Sequence, residues 1–238
     1  MVLFLRKGSV LICFLLALSL FAAIVLRPRH SVPATAVQPI QESMTPKSVY
    51  VLDAGHGGAD GGAVSLSGAY ESEINLAITL RTREMLMLLG EKTVLTRTGN
   101  GSLADDPSAS LREQKVSDTK NRVALINDTE FAKVISIHQN ALVGHASVHG
   151  AQVFYSATQE SDHMAETVQQ MLNRVVNVGN EKNKKPISSE VYLMNNVICP
   201  AILVECGFMS NQEESAQLQN PKYQTLLVMT IAAAAVQP

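Results

Sequence analysis

The sequence predicts an α/β fold in three layers: a largely parallel or mixed sheet flanked by helices, with a site at the carboxyl ends of its strands. Three observations carry this expectation. Short apolar runs alternate along the chain with stretches whose apolar residues recur at helical spacing. Three of the runs end on a residue able to do chemistry: Tyr50–Asp53 leads to His56, Val134–His138 ends on its histidine, and Ala201–Glu205 ends on its glutamate. The first of them also opens into Gly55, Gly57, Gly58, Gly61 and Gly62, a backbone free to bend around a bound species.

Taken in order, the chain begins with a segment that does not belong to that fold. Arg6 and Lys7 precede an uncharged, mostly apolar run from Ser9 to Leu26, which Arg27, Arg29 and His30 close. A basic flank followed by an apolar run is the pattern of export, so residues 1–30 read as a signal peptide or a membrane anchor. The run is just long enough to span about 30 Å of hydrocarbon as a helix. Ala34-Thr35-Ala36 offers a small-residue cleavage site, but it lies well past the apolar run. Cys13 lacks a small residue before it and is rejected as a lipidation site. Residues 31–47, with Pro33, Pro39 and Pro46, read as a tether.

Residues 48–238, roughly 190 in all, suffice for one domain with a real core. Without its first 36 residues the chain carries 15 Lys and Arg against 21 Asp and Glu, a net charge of −6. An acidic domain is a poor binder of nucleic acid, whose phosphates need a basic face. Cys199 and Cys206 lie on either side of the Ala201–Glu205 strand and read as free thiols, with no disulfide framework.

Beyond the glycine loop, Glu73–Leu89 carries a helical stripe that Gly90 stops. Thr93–Thr96 reads as a strand, Thr98–Ser110 as a loop and Leu111–Ile126 as a helix. Ala151–Tyr155 and Glu190–Met194 read as further strands, and Met164–Val178 and Tyr223–Val236 as helices. His145 and His149 fall in a loop between Gly144 and Gly150 and read as surface residues.

His56, His138 and Glu205, brought to one sheet edge, would supply two imidazoles and a carboxylate. That donor set suits a divalent transition metal, zinc before others, with one position left for water. A further carboxylate is needed as general base toward that water. Glu71 and Glu73, at the start of the helix after the glycine loop, can reach the same edge. From residue chemistry alone, which of Glu71, Glu73 and Glu205 binds metal and which moves protons stays open.

Four blocks, Asp53-Ala54-Gly55-His56-Gly57-Gly58, Glu71-Ser72-Glu73-Ile74-Asn75-Leu76, Ser136-Ile137-His138-Gln139-Asn140-Ala141 and Leu203-Val204-Glu205-Cys206-Gly207-Phe208, resemble in order and spacing those of the zinc-dependent N-acetylmuramoyl-L-alanine amidases. The resemblance implies one zinc ion per chain, ligated by His56, Glu71 and His138, with Glu205 catalytic. It implies hydrolysis of the amide joining the lactyl group of muramic acid to the L-alanine of a peptidoglycan stem peptide. Ala54 stands where many relatives have proline, and Asn75, Arg122 and Asn127 match recurrent positions read as packing or hydrogen-bonding anchors.

The layout resembles the CwlD-type sporulation amidases, which act on cortex peptidoglycan on the way to muramic-δ-lactam. The partners expected are therefore the peptidoglycan glycopeptide, the membrane where the first segment is retained, and an accessory protein. The place of action that the resemblance implies is extracytoplasmic. A vegetative wall amidase is the alternative within the family, and a non-catalytic wall binder the alternative outside it; a binder needs none of the four site residues. A phosphate or dinucleotide site fails, because no G-x-G-x-x-G register exists in the glycine loop.

Overall fold

The computed structural model describes residues 47–237; the predicted export segment and all but the last residue of the tether lie outside the described residues. The strands are β1 (Val49–Ala54), β2 (Lys92–Leu95), β3 (Ala132–Asn140), β4 (Gln152–Tyr155), β5 (Lys185–Pro186) and β6 (Ala201–Phe208). They form one sheet in the order β2-β1-β3-β6-β4-β5. β2, β1, β3 and β6 run parallel. β4 is antiparallel to β6, and β5 is parallel to β4, so the sheet is mixed. The helices are α1 (Glu71–Leu88), α2 (Leu111–Asn127), α3 (Gln159–Val175), α4 (Tyr192–Asn196), α5 (Gln212–Leu218) and α6 (Pro221–Ala235).

The central strands are buried on both faces, which is why they read as continuous apolar runs. On one face Leu52, Ile135, Ile137, Val153, Ile202 and Val204 pack against α1, α3 and α6. On the other, Val51, Val134, Ala201 and Leu203 meet Ile126 of α2 and Leu193 and Met194 of α4. That second layer is thin. A single long helix and one short one cover it, and period-two alternation continues it into Ser136, His138 and Glu205.

Several boundaries move for local reasons. α2 starts where Ser110 and Glu113 form a reciprocal capping box. α3 starts at Gln159, ahead of the expected Met164, because Thr158 caps it by accepting from the Ser161 amide. Asn220 and Pro221 open α6 in the same manner.

The expected strand at Glu190–Met194 is not a strand. Tyr192–Asn196 forms α4, since Leu193, Met194 and Val197 share one helical side and bury it against α2 and the sheet. The position beside β4 is taken instead by Lys185 and Pro186, too short a run to read from sequence. Cys199 and Cys206 are both free, as expected.

At the carboxyl ends of β1 and β3 the core turns polar. The Asp53 carboxylate accepts from Arg122 Nη1 at 2.7 Å, Ser136 Oγ at 2.6 Å and Thr96 Oγ1 at 2.8 Å. Burial pushes this carboxyl up, but Arg122 and the Ser136 hydroxyl overcome it and hold it at about 2. A depressed carboxylate stabilises the fold above its unfolded pKa of ~3.9. That contribution is expected to drain away as pH falls from about 4 through about 2, read as a falling urea midpoint. Asp53→Asn, which removes one of the two carboxylates paired with buried Arg122 and leaves Asp118, is expected to cost ~1–3 kcal/mol and to flatten this acid dependence.

Candidate active site

The loop after β1 is shaped by its carbonyls. The Ala54 carbonyl accepts from Arg97 Nε at 2.9 Å and from Arg122 Nη1 at 2.6 Å. The Gly55 carbonyl accepts from Arg97 Nη2 at 3.0 Å and Asn75 Nδ2 at 3.1 Å. The His56 carbonyl accepts from Arg122 Nη2 at 2.7 Å. Two guanidinium forks and one amide thus fix three successive peptides. His56 itself is held at φ +61°, a left-handed conformation that costs a non-glycine residue ~1–3 kcal/mol and marks an over-determined position.

The glycines serve a purpose beyond freedom to bend. A Cβ on Gly55 would lie 2.2 Å from the His138 ring, and one on Gly62 would lie 2.5 Å from Glu71 Oε2. They are absent side chains that make room for other members of the site.

Glu71 opens α1, where the helix dipole favours a carboxylate, and is almost fully buried. Its Oε1 lies 3.2 Å from His56 Nε2 and 3.1 Å from His138 Nδ1, and also accepts the Gln139 amide at 3.1 Å. Its Oε2 accepts the Ala63 amide at 2.9 Å. Burial opposes ionisation here, yet the two imidazoles hold the carboxyl far below the usual range. One potential ligand atom from each of His56, Glu71 and His138 falls within 4.8 Å of the others. Glu73 points to solvent and takes no part.

Asp60 Oδ2 sits 2.8 Å from His56 Nδ1 and is itself paired with Lys115 at 3.1 Å. A carboxylate on Nδ1 orients the ring and leaves Nε2 toward Glu71, the usual outer support of a metal-ligating histidine. Burial pulls the His56 pKa down, but Asp60 and Glu71 raise it to about 9.

Glu205 lies directly beside His138, in register across β3 and β6. Its Oε2 is buried and has no hydrogen-bond partner among the described residues. Burial, against the pull of His138, pushes its pKa up to about 7. A buried carboxylate oxygen without a partner is costly unless something else meets it. The donor set of two imidazoles and one carboxylate fits a divalent metal such as zinc, with Glu205 free to move a proton beside it.

The structure therefore brings together all four residues singled out from sequence. Asn75 and Arg122 are buried anchors of the loop. Asn127 bridges the Asn196 carbonyl and the Ile198 amide, tying α2 to α4. His145 and His149 are exposed. Sequence reasoning missed Asp60, Arg97 and Glu214. Glu214, on α5, accepts from the Phe208 amide at 2.7 Å and the Gly150 amide at 2.8 Å, bracing the turn after Glu205. Arg97 carried a signal as the charged residue closing an apolar strand; the others are single polar residues in polar surroundings. A cleft of about 610 Å³ at the opposite edge of the sheet, beside Ser48 and Phe131, contains none of these residues.

The steric reading of the glycines is checked by substitution. Gly55→Ala is expected to cost ~1–3 kcal/mol in urea unfolding, as overpacking against His138. Gly99→Ala, where an added Cβ meets nothing within 4 Å, is expected to stay within ~0.5 kcal/mol.

Comparison with known proteins places this geometry. A germination-specific N-acetylmuramoyl-L-alanine amidase of Bacillus subtilis is 35% identical over 185 residues, spanning 78% of this chain and 76% of its own. The CwlD amidase of Clostridioides difficile, solved in complex with the GerS lipoprotein, superposes with a TM-score of 0.74 at 33% identity, over 79% of this chain and 96% of that one. An N-acetylmuramoyl-L-alanine amidase from Clostridium difficile superposes with a TM-score of 0.68 at 27% identity, over 80% and 95%. Residues 51–237 match the family described as N-acetylmuramoyl-L-alanine amidase, and the chain belongs to that family of peptidoglycan amide hydrolases.

Proposed function

We propose that this amidase is zinc-dependent, with His56, Glu71 and His138 as ligands and Glu205 as the catalytic residue. The observation that carries the reading is Glu71 Oε1 lodged between two imidazole nitrogens, with the unpartnered Glu205 carboxylate on the strand next to His138. Zinc, when bound there, supplies Lewis acidity, polarising the scissile carbonyl and lowering the pKa of water toward ~7.

The chain's own residues do the rest. Asp60 fixes the tautomer of His56, and Arg97 and Arg122 hold the loop that carries it. Glu205, poised near neutrality by burial, takes the proton of the attacking water and delivers it to the amide nitrogen. Amide cleavage needs both transfers, because without a proton the nitrogen would have to leave as an amide anion.

The substrate proposed is spore-cortex peptidoglycan, cut between the lactyl group of muramic acid and L-alanine on the way to muramic-δ-lactam. The likeness to a germination-specific amidase and to CwlD supports it. Residues 1–30 are proposed to export the domain and either be cleaved or anchor it at the extracytoplasmic face. An accessory protein at the membrane belongs to the same proposal, since the solved CwlD is in complex with a lipoprotein. Preference for vegetative wall over cortex strands would move the enzyme to the wall-turnover branch of the family.

The test is metal content and amide cleavage on peptide-bearing glycan, before and after chelation. One zinc per chain is expected, with cleavage lost on chelation and restored by zinc. Full turnover in chelator sinks the zinc reading. Glu205→Gln is expected to keep its zinc and lose ~10²–10⁴-fold in kcat; unchanged kcat would remove Glu205 from the mechanism. Asp60→Asn, measured by calorimetric zinc titration, is expected to weaken binding ~10–100-fold.

A further inference from the structure

The face of the sheet that carries His138 and Glu205 continues outward across β4 and β5. Gln152 of β4 stands directly opposite Glu205, and directly opposed residues project to the same face. Two residues along, Leu203 is opposite Phe154, and Phe154 is opposite Lys185 of β5. The neighbour of Lys185 supports the assignment: Lys184 turns to the α3 side, pairing with Asp162 at 2.7 Å and Glu166 at 3.2 Å. Lys185 therefore faces the way Glu205 does. It is exposed and makes no ion pair among the described residues.

Gln152 is oriented by a single bond. Its Nε2 donates to the Asn183 carbonyl at 2.8 Å. A carbonyl can only accept, so the amide cannot flip, and Oε1 is left as an acceptor with no protein donor among the described residues. The row His138–Glu205–Gln152 then has a direction. On the amidase reading the carbonyl would be polarised on the histidine side and Glu205 would serve the nitrogen. The departing amine and the peptide attached to it would then extend over Gln152. Strand spacing places the Lys185 Cα ~12 Å from that of Glu205, a gap that two extended residues and a lysine side chain close.

We propose that Gln152 and Lys185 form the subsite for the leaving peptide and select one with a carboxylate two or three residues from the scissile bond. Gln152 Oε1 accepts a peptide N–H, and Lys185 pairs with the carboxylate. The proposal rests on the amidase reading above.

The test compares kcat/KM of the full chain, zinc-loaded, on two glycan–peptide substrates that differ only in whether that carboxylate is free or amidated. The free form is expected to be preferred. Lys185→Gln is expected to lose roughly fivefold on the free form, mostly through KM, and to erase the preference. Lys185→Glu is expected to reverse it, and Lys184→Gln, on the other face, to retain it. Gln152→Met is expected to lower kcat/KM on both forms alike. A preference that survives Lys185→Gln, or an equal loss on both substrates, overturns the subsite. The two free peptides, titrated calorimetrically into Glu205→Gln protein with and without Lys185→Gln, give the same ratio without turnover. Cleavage of neither substrate by the loaded chain therefore sinks the amidase reading, while the binding ratio still decides for or against Lys185.

Discussion

The arrangement of this protein depends on one buried charge cluster, the Asp53 carboxylate facing the Arg122 guanidinium at the carboxyl ends of β1 and β3. Taken alone, a buried ion pair is weak support for a fold, because desolvation offsets much of its attraction. Here the rest of the Arg122 guanidinium is shared between the Asp118 carboxylate and backbone. Arg122 reaches the carbonyls of Ala54 and His56, and Arg97 reaches those of Ala54, Gly55 and Ser72. The same bonds that satisfy the charges bend the chain into the left-handed turn at His56 and tie it to the first turn of α1. Glu71 arrives with that turn. Position, and not chemistry, is what the cluster contributes.

Around this anchor the site is assembled from three separate parts of the chain by a sheet rule. Parallel strands β1, β3 and β6 deliver their ends to one edge, and register sets His138 beside Glu205. The two carboxylates then take opposite characters from their surroundings. Glu71 is ringed by donors and stays ionised far below the usual range. Glu205 has a buried oxygen with no donor and rises to about 7. Environments that push two carboxylates apart suit the two roles proposed for them, a ligand in Glu71 and a proton carrier in Glu205.

The unequal layers extend the same logic to recognition. α1, α3 and α6 cover one face of the sheet, whereas α2 and short α4 cover only part of the other. The carboxyl half of that thin side is where His138, Glu205 and Gln152 project. A long substrate strand can cross an open sheet face but not a closed pocket. Glu190–Met194 reads from its sequence as a strand, but Tyr192–Asn196 is helical. As a helix it instead seals the lower part of the thin face.

The sequence by itself determined most of the strand–helix alternation and singled out His56, Glu71, His138 and Glu205, which the fold brings to one sheet edge. Each of these rests on local pattern: apolar runs have a length, strand ends have a residue, and family blocks have a spacing. Choosing Glu71 over Glu73 needed the family resemblance, because both sit in one helical turn with the same chemistry. Tertiary structure alone decided that Glu73 faces solvent, that Asp60 orients His56, and that Arg97 and Glu214 brace the turns on either side. It also decided that Gly55 and Gly62 are vacancies for His138 and Glu71. These are contacts between residues far apart in the chain, fixed by register and packing, and no local pattern encodes which distant side chain will fill a given space.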